Sequence, residues 1–195
     1  MIRWEELKKH LKLNRKLKME QIVKQEKVRL IIGLIARQEF LNIAHDRLLK
    51  VFGGIDYKSE ILEFDSTRYY ANEMGTGLKR QFISFSNLIC PEELPSIKLK
   101  TNKIEREFFS NQNNRFVNID PGYLSLSKLV LATTKDHQHR IYLDKGIFAE
   151  VTLRYRDKTF RPWPWTYADY CKPEYIKIFN FIRNQLFTQR NKTCA

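Results

Sequence analysis

The sequence predicts an α+β fold, with a ferredoxin-like βαββαβ core, a C-terminal β-hairpin and a terminal helix. Strand-like apolar segments and amphipathic helical segments follow one another in the order β-α-β-β-α-β. Behind them, residues 141–153 have the two arms of a hairpin, and residues 174–187 have helical periodicity after Pro173. Each βαβ half should cross right-handed, which would place both core helices on one face of the sheet.

The composition is that of a single globular domain with a strongly basic charge balance. The chain has 195 residues, 43% hydrophobic, and a net charge of +13. This balance favours nucleic acid, an anionic membrane surface or a phosphorylated ligand as partner, although a basic protein without such a partner has the same composition. Lysines surround a loosely amphipathic pattern at the start of the chain. We therefore predict a basic helical extension over residues 1–26 and one α+β domain over residues 27–195.

The cysteines and the apolar segments bear on the cellular setting. The chain has three cysteines and no CxxC pair, so neither a zinc ribbon nor a disulfide framework is indicated. The first residues lack the apolar core of a signal peptide, and no run of about 18 apolar residues occurs. We expect a cytoplasmic protein without a transmembrane segment.

The first half of the domain is predicted from its apolar patterning. Residues 27–37 are apolar on both faces, which is typical of a central strand. Residues 39–52 form an amphipathic helix that ends at Gly53-Gly54. Residues 60–65 alternate like a short strand, and residues 79–86 form the next strand after a loop rich in tyrosine and glycine.

The second helix and the following segments complete the predicted core. Pro91 is suited to the first turn of a helix, which then presents an apolar stripe as far as Phe108. Residues 115–119 form a strand, and Asp120-Pro121-Gly122 is expected to be a turn. Residues 125–134 are expected to form a short helix, with a strand as the alternative because the segment is rich in Leu and Val.

The hairpin has a defined expected register. The apolar residues of its two arms face the same side if Leu143 pairs with Ile147, which leaves a three-residue loop with Gly146 in the left-handed conformation. The same register places Arg140 opposite Glu150, a pair worth only about 0.2–1 kcal/mol if exposed. Residues 160–170 follow as a wrap rich in Pro, Trp and Tyr.

Ordered blocks of residues carry a resemblance to a known family. They are Tyr69-Tyr70 with Glu73-Met74-Gly75 and Leu78-Lys79-Arg80; Asn118 with Asp120-Pro121-Gly122-Tyr123; residues 128–136 with 139–143; residues 146–153; and Pro164-Trp165-Thr166-Tyr167. Together they resemble the bacterial family called domain of unknown function 4416, over about residues 28–182. The resemblance implies a bacterial cytoplasmic protein and brings no established activity or catalytic residues.

Some members of that family are loosely named GTP-binding protein, and this sequence does not support the name. The P-loop pattern GxxxxGK[ST], whose backbone amides and lysine hold phosphates, does not occur. Thr134-Lys135-Asp136 lacks the intervening residue of a TKxD guanine-specificity motif.

Phosphate-binding residue types are concentrated between the predicted short helix and the hairpin. Arginine binds phosphate through two parallel hydrogen bonds, and threonine hydroxyls add donors. The alternative is that Arg140 pairs with Glu150 while the other side chains are solvated. The candidate ligand-binding residues are Lys79, Arg80, Tyr123, Lys128, Thr134, Lys135, Arg140 and Arg154.

Acid–base chemistry and metal binding are two further candidate functions of this region. Asp120, His139 and Glu150 have the side chains for proton transfer, provided that they share one pocket. His137 and His139 would point the same way on a strand and could hold a metal with a carboxylate, but solvent-facing or structural histidines are the favoured interpretation. We name no metal ligand and no cofactor.

The sequence thus favours a protein that binds a phosphorylated or nucleotide-like small anion, and it leaves open whether the protein is an enzyme. The alternative is a non-enzymatic RNA-binding or ribosome-associated module, since a basic sheet with exposed aromatic side chains can stack bases. No RNP1-like run occurs. Trp163 and Trp165 either line a ligand pocket or fasten the C-terminal extension to the core, and the second interpretation is favoured.

Overall fold

The computed structural model describes residues 25–67, 69–108 and 114–193. The predicted helical extension over residues 1–26 therefore lies almost wholly outside the described residues. The strands are β1 (Val28–Ala36), β2 (Ile55–Lys58), β3 (Leu62–Glu63), β4 (Lys79–Ile89), β5 (Val117–Leu124), β6 (Lys128–Thr133), β7 (Ile141–Asp144), β8 (Ile147–Arg156) and β9 (Thr159–Pro162). The helices are α1 (Gln38–Phe52), α2 (Ala71–Met74), α3 (Leu94–Glu107) and α4 (Pro173–Thr193), with 3₁₀ turns at Pro91–Glu93 and Ala168–Cys171.

All nine strands belong to one antiparallel sheet. Its order is β2-β4-β1-β5-β6-β8-β7, with β3 beside β4 and β9 beside β8. β1 lies between β4 and β5, and all nine of its residues are buried. The expectation that residues 27–37 form a central strand is therefore confirmed.

The predicted ferredoxin-like βαββαβ core with an appended hairpin is wrong, because the chain forms one nine-stranded sheet. Residues 128–133 are a strand and not the expected short helix. This strand, β6, pairs with β5 on one side and with β8 on the other, so the hairpin continues the sheet. The four consecutive apolar residues 129–132 fit the periodicity of a helix as well as that of a buried strand. Only pairing with the neighbouring strands decides between the two.

The expected turn at Asp120-Pro121-Gly122 is also wrong, since these residues lie inside β5. Pro121 pairs with Ile32 of β1, while pairing with β6 begins only at Gly122. Proline has no N–H to donate and is normally excluded from inner strands. Because Pro121 lies just outside the β5–β6 ladder, this position of the strand can accommodate a proline.

The two faces of the sheet are covered by different parts of the chain. α1 and α3 pack on one face, where Leu34, Leu48 and Ile104 belong to the same core cluster. α4 packs on the other face with the segment before it, and there Phe82 contacts Tyr175 and Phe179. Helices on both faces explain why β1 has no exposed residue.

The terminal helix was expected over residues 174–187 and is confirmed as α4. Its buried residues follow helical spacing: Tyr175, Phe179, Ile182 and Leu186. No helix within the described residues, α4 included, is long and apolar enough to cross a membrane.

The expected pairing of Leu143 with Ile147 in the β7–β8 hairpin is wrong, because the register shifts between Tyr142 and Asp144, although Ile141 pairs with Ala149 as that register implies. Asp144 pairs with Ile147, so the loop contains only Lys145 and Gly146, both with positive φ. Ile141 is 69% exposed, whereas Ile147 is buried. β7 is the edge strand at this end of the sheet, so no further strand covers its apolar residues.

Gly122 permits a close approach of β5 and β6, which generates a first prediction. A Cβ at this position would overlap the carbonyl oxygen of Val130 and lie 2.7 Å from Cδ2 of Leu131. We expect Gly122→Ala to lower the free energy of unfolding by about 3 kcal/mol, because a backbone atom must move. At this chain length the melting temperature should fall by roughly 6–12 °C.

The matched control is Gly54→Ala. Its new Cβ would lie 3.1 Å from the Oγ of Ser86, a side chain that can rotate. It should cost less than about 1 kcal/mol in the same thermal melt. Equal melting temperatures for the two variants would contradict the close approach of β5 and β6.

His45 makes stability depend on pH, which is the second prediction. It is a buried residue of α1, where burial, followed by the charge of Lys58, lowers its pKa below the ordinary value of 6.5. Because the unfolded chain binds the proton more readily, the stabilising contribution is complete above pH 6.5 and is lost as the pH falls below it. We expect His45→Gln to flatten the fall of the unfolding free energy below that pH, measured by urea denaturation. Asn42→Gln, at an exposed position of the same helix, should leave the slope unchanged.

Candidate functional site

An open cleft lies where the loop between β6 and β7 meets the segment that follows β9. Its volume is about 450 Å³, within the range of small-molecule sites. Its lining residues are His137, Gln138, His139, Arg140, Trp165 and Tyr167. It is thus formed from two segments that are far apart in the sequence and are brought together by β8.

A buried ion pair lies beside the cleft. The Nε of Arg140 is 3.0 Å from the Oε2 of Glu150, and both side chains are only 2% exposed. The same oxygen is 3.2 Å from the Nε2 of His139. The expected pairing of Arg140 with Glu150 therefore exists, but its burial gives it a different energetic role from an exposed cross-strand pair.

Arg140 also connects the two segments that build the cleft with strand β8. Its Nη1 donates to the carbonyl oxygen of Lys135 at 3.0 Å, and its Nη2 donates to the hydroxyl of Tyr167 at 2.5 Å. With the bond to Glu150, each of its three nitrogens has a partner. These bonds hold the buried guanidinium in one orientation.

The segment with the tryptophans closes a gap at the edge of β8. β7 pairs with residues 147–149 and β9 with residues 153–156, so neither covers the carbonyl groups between them. The indole N–H of Trp165 donates to the carbonyl oxygen of Val151 at 3.2 Å, and the hydroxyl of Thr166 donates to that of Thr152 at 2.6 Å. These bonds fix the orientation of the Trp165 ring in the wall of the cleft.

Four nearly parallel rings form a series beside the cleft, which we call the ring ladder: His137, His139, Trp165 and Trp163. Successive centroids are 6.0, 5.8 and 5.1 Å apart, with interplanar angles of 10°, 19° and 6°. The guanidinium of Arg154 lies 4.1 Å from the centre of the Trp163 ring, at the end of the ladder. Trp165 is still 40% exposed, so the part of its ring outside the contacts with His139 and Trp163 is open to a ligand.

A second polar cluster lies under the 3₁₀ turn that precedes α4. Arg80 is 3% exposed, and its Nη2 is 2.8 Å from the Oδ2 of Asp169, while its Nη1 is 3.6 Å from the Oδ2 of Asp120. Asp120 also accepts a hydrogen bond from the Nδ2 of Asn118 at 2.7 Å. This cluster attaches the segment before α4 to strands β4 and β5.

The surroundings of Arg80 and Tyr170 in this second cluster keep each of these two side chains in one protonation state. Burial works against the charged form of Arg80, but nearby Tyr170, Asp120 and Asp169 raise its pKa overall. Burial also raises the pKa of the Tyr170 hydroxyl well above its ordinary value. Arg80 therefore stays charged and Tyr170 stays protonated at neutral pH, which suits a structural cluster.

The sequence-predicted site residues fall into groups. Lys135, His139, Arg140 and Glu150 come together at the cleft, whereas Asp120 lies in the second cluster with Arg80. The remaining candidates lie elsewhere: Lys79 pairs with Glu63, Tyr123 packs near Leu94 and Val130, Lys128 and Arg154 lie opposite each other on β6 and β8, and Thr134 follows β6.

Two residues of these clusters were missed by the sequence analysis. Tyr167 stands in one of the blocks of the family resemblance, and that block was the signal that could have drawn attention to it. Asp169 had no signal, because nothing in its local sequence indicates the buried Arg80 that it meets. Among the described residues, no group of three or more His, Cys, Asp or Glu is arranged to hold a metal ion.

Comparison with known proteins assigns the chain to a family. Residues 26–186 match the family model described as Domain of unknown function (DUF4416), so the chain belongs to this family. The resemblance noted from the sequence blocks is thereby confirmed. No curated protein matches the chain, and no solved structure does.

Glu150 carries the third prediction. Replacing it with Gln leaves the buried charge of Arg140 without its counter-ion, and breaking a buried pair in this way costs about 3–5 kcal/mol. We expect Glu150→Gln to lower the free energy of unfolding by that amount in urea denaturation. The double variant Arg140→Met/Glu150→Leu should lose less than the single one, because no uncompensated charge stays buried.

The control for this prediction is Glu107→Gln. Glu107 pairs with Arg47 at the surface, with both side chains about 40% exposed, and such pairs contribute at most about 1 kcal/mol. A loss for Glu150→Gln no larger than for this control would show that the Arg140–Glu150 pair is not buried in solution.

Proposed function

We propose that the protein binds a phosphorylated, nucleotide-like small ligand in the cleft, with the base against the ring of Trp165. The observation that carries the proposal is the fixed orientation of this exposed ring. Its indole N–H is bonded to Val151, and its two neighbours in the ring ladder are His139 and Trp163. A planar aromatic group held in place loses little conformational freedom when a base stacks on it.

The charges near the cleft support an anionic ligand. Lys135 is exposed beside the cleft, where its Nζ lies 3.1 Å from the hydroxyl of Tyr69. Glu150 neutralises part of this charge, but its carboxylate is only 2% exposed and is already occupied by Arg140 and His139. The net charge of +13 favours the approach of any anion.

In this proposal His139 acts on the ligand, and Glu150 orients the imidazole. Nε2 of His139 faces the carboxylate, which leaves Nδ1 as the nitrogen available for a proton transfer. A carboxylate that orients a histidine in a cleft is the usual arrangement of a general acid or base. Asp120, the third sequence candidate, has its hydrogen bond to Asn118 in the second cluster.

The test is nucleotide binding by the purified protein after removal of bound nucleic acid. Adenosine and uridine monophosphates should quench tryptophan fluorescence, and the dissociation constant should be confirmed by isothermal titration calorimetry. Because stacking of one base contributes about 1–3 kcal/mol, Trp165→Ala should weaken binding by about 10-fold or more.

Phe187→Ala is the matched control, since Phe187 is a similarly exposed aromatic residue on α4. It should bind as the natural protein does. The proposal is wrong if neither nucleotide binds at millimolar concentration, or if the two variants lose affinity equally.

A further inference from the structure

Three basic side chains lie directly opposite one another on adjacent strands. Lys128 of β6 pairs with Arg154 of β8, and Arg154 pairs with Arg161 of β9. We call these three residues the basic row. Directly opposed residues in antiparallel strands point to the same face with Cβ atoms about 5 Å apart, so like charges there destabilise the sheet. A row of this kind needs an explanation.

The basic row points away from the core. The residues next to it on the same strands, Leu129, Leu153 and Phe160, are buried in the cluster under α4. Because side chains alternate along a strand, the basic row lies on the opposite face. Lys128 and Arg161 are exposed and Arg154 is half-buried.

No counter-charge in the described part of the chain compensates the basic row. None of the carboxylates there forms an ion pair with any of its three members, and the buried Nε of Arg154 has no hydrogen-bond partner. Near the row, Asp157 forms its ion pair with Arg156. The row is thus an unsatisfied cationic surface about three strands wide.

The basic row and the cleft are connected by the ring ladder. Arg154 stacks on Trp163, Trp163 on Trp165, and Trp165 on His139 in the cleft wall. Cations that follow a backbone, alternating with flat rings on which bases stack, are the elements of single-strand recognition. A small mononucleotide in the cleft would leave the row unused.

We propose that the ligand is a single-stranded nucleic acid, with one base in the cleft at the exposed part of Trp165 and the phosphates of neighbouring nucleotides on the basic row. This inference rests on the proposed function, because it takes the cleft as the site of one nucleotide. An anionic membrane surface would also match the charge of the row, but it would make no use of the stacked rings. The chemistry shared by RNA and DNA is sufficient for the site, and the experiment separates them.

The experiment measures fluorescence anisotropy of labelled oligouridylate and oligothymidylate of about three, six and nine nucleotides. Affinity should rise at least about 10-fold from the mononucleotide to the hexamer. Three neutralised phosphates predict a slope of about −2 for log affinity against log salt. The DNA and RNA series together show whether the 2′-hydroxyl contributes.

The variant that tests the row is Lys128→Gln/Arg154→Gln/Arg161→Gln. It should bring the salt slope close to zero and reduce hexamer affinity at least about 10-fold, while mononucleotide affinity stays unchanged. The control removes the same charge from exposed lysines of α1 and α3: Lys50→Gln/Lys100→Gln/Lys103→Gln. Lys128→Gln/Arg161→Gln keeps the Arg154–Trp163 stack and should show an intermediate loss if the triple variant is unstable.

The outcomes separate this inference from the proposed function. Mononucleotide binding without a gain from chain length would overturn the inference and leave the proposed function intact. Oligonucleotide binding that depends on the basic row but not on Trp165 would overturn the inference that one strand contacts both the row and the cleft. It would also overturn the proposed function, because the cleft would then bind no base. Equal losses in the row variant and the lysine control, or binding to anionic lipid vesicles without binding to oligonucleotides, would also overturn the inference.

Discussion

The pairing of β6 with both β5 and β8 is the constraint on which the rest of this structure depends. It makes a single antiparallel sheet out of two sets of strands that the chain visits one after the other. The close contact at Gly122 lets β5 and β6 approach at the point where Pro121 ends their ladder. Because the sheet continues through β6, β8 can carry Glu150 to the cleft and Arg154 to the basic row on its two opposite faces.

The charges of the protein are used in two different ways. Arg80 and Arg140 are buried with carboxylate partners, and each fastens the segment after β9 to the sheet. Burying them is costly, and the cost is offset by the attraction of the carboxylates that lie beside them. The basic row is the reverse case, since its cations are mutually opposed and lack partners in the described chain. The buried arginines stabilise the fold, whereas the basic row is the surface to which a polyanion would bind most favourably.

The tryptophan segment combines two roles that sequence analysis treats as alternatives. Thr166 and Trp165 occupy carbonyl groups of β8 that no strand covers, which is a fastening role. The same hydrogen bond turns the Trp165 ring into the wall of the cleft, which is a binding role. A ring positioned by backbone hydrogen bonds is rigid before any ligand arrives, and rigid stacking surfaces bind with a smaller loss of entropy.

Elements with a local signal can be predicted from the residues alone. The doubly apolar strand β1, the helices α1, α3 and α4, and the pairing of Ile141 with Ala149 follow from periodicity, and the family follows from ordered residue blocks. Contacts between distant segments were needed to establish that residues 128–133 form a strand, that Asp120-Pro121-Gly122 lies within one, and that Arg140 is buried with Glu150. The physical reason is the same in each case. An apolar run, a Pro-Gly pair or an ion pair has several stable settings, and the strand or side chain that selects among them comes from a distant part of the chain.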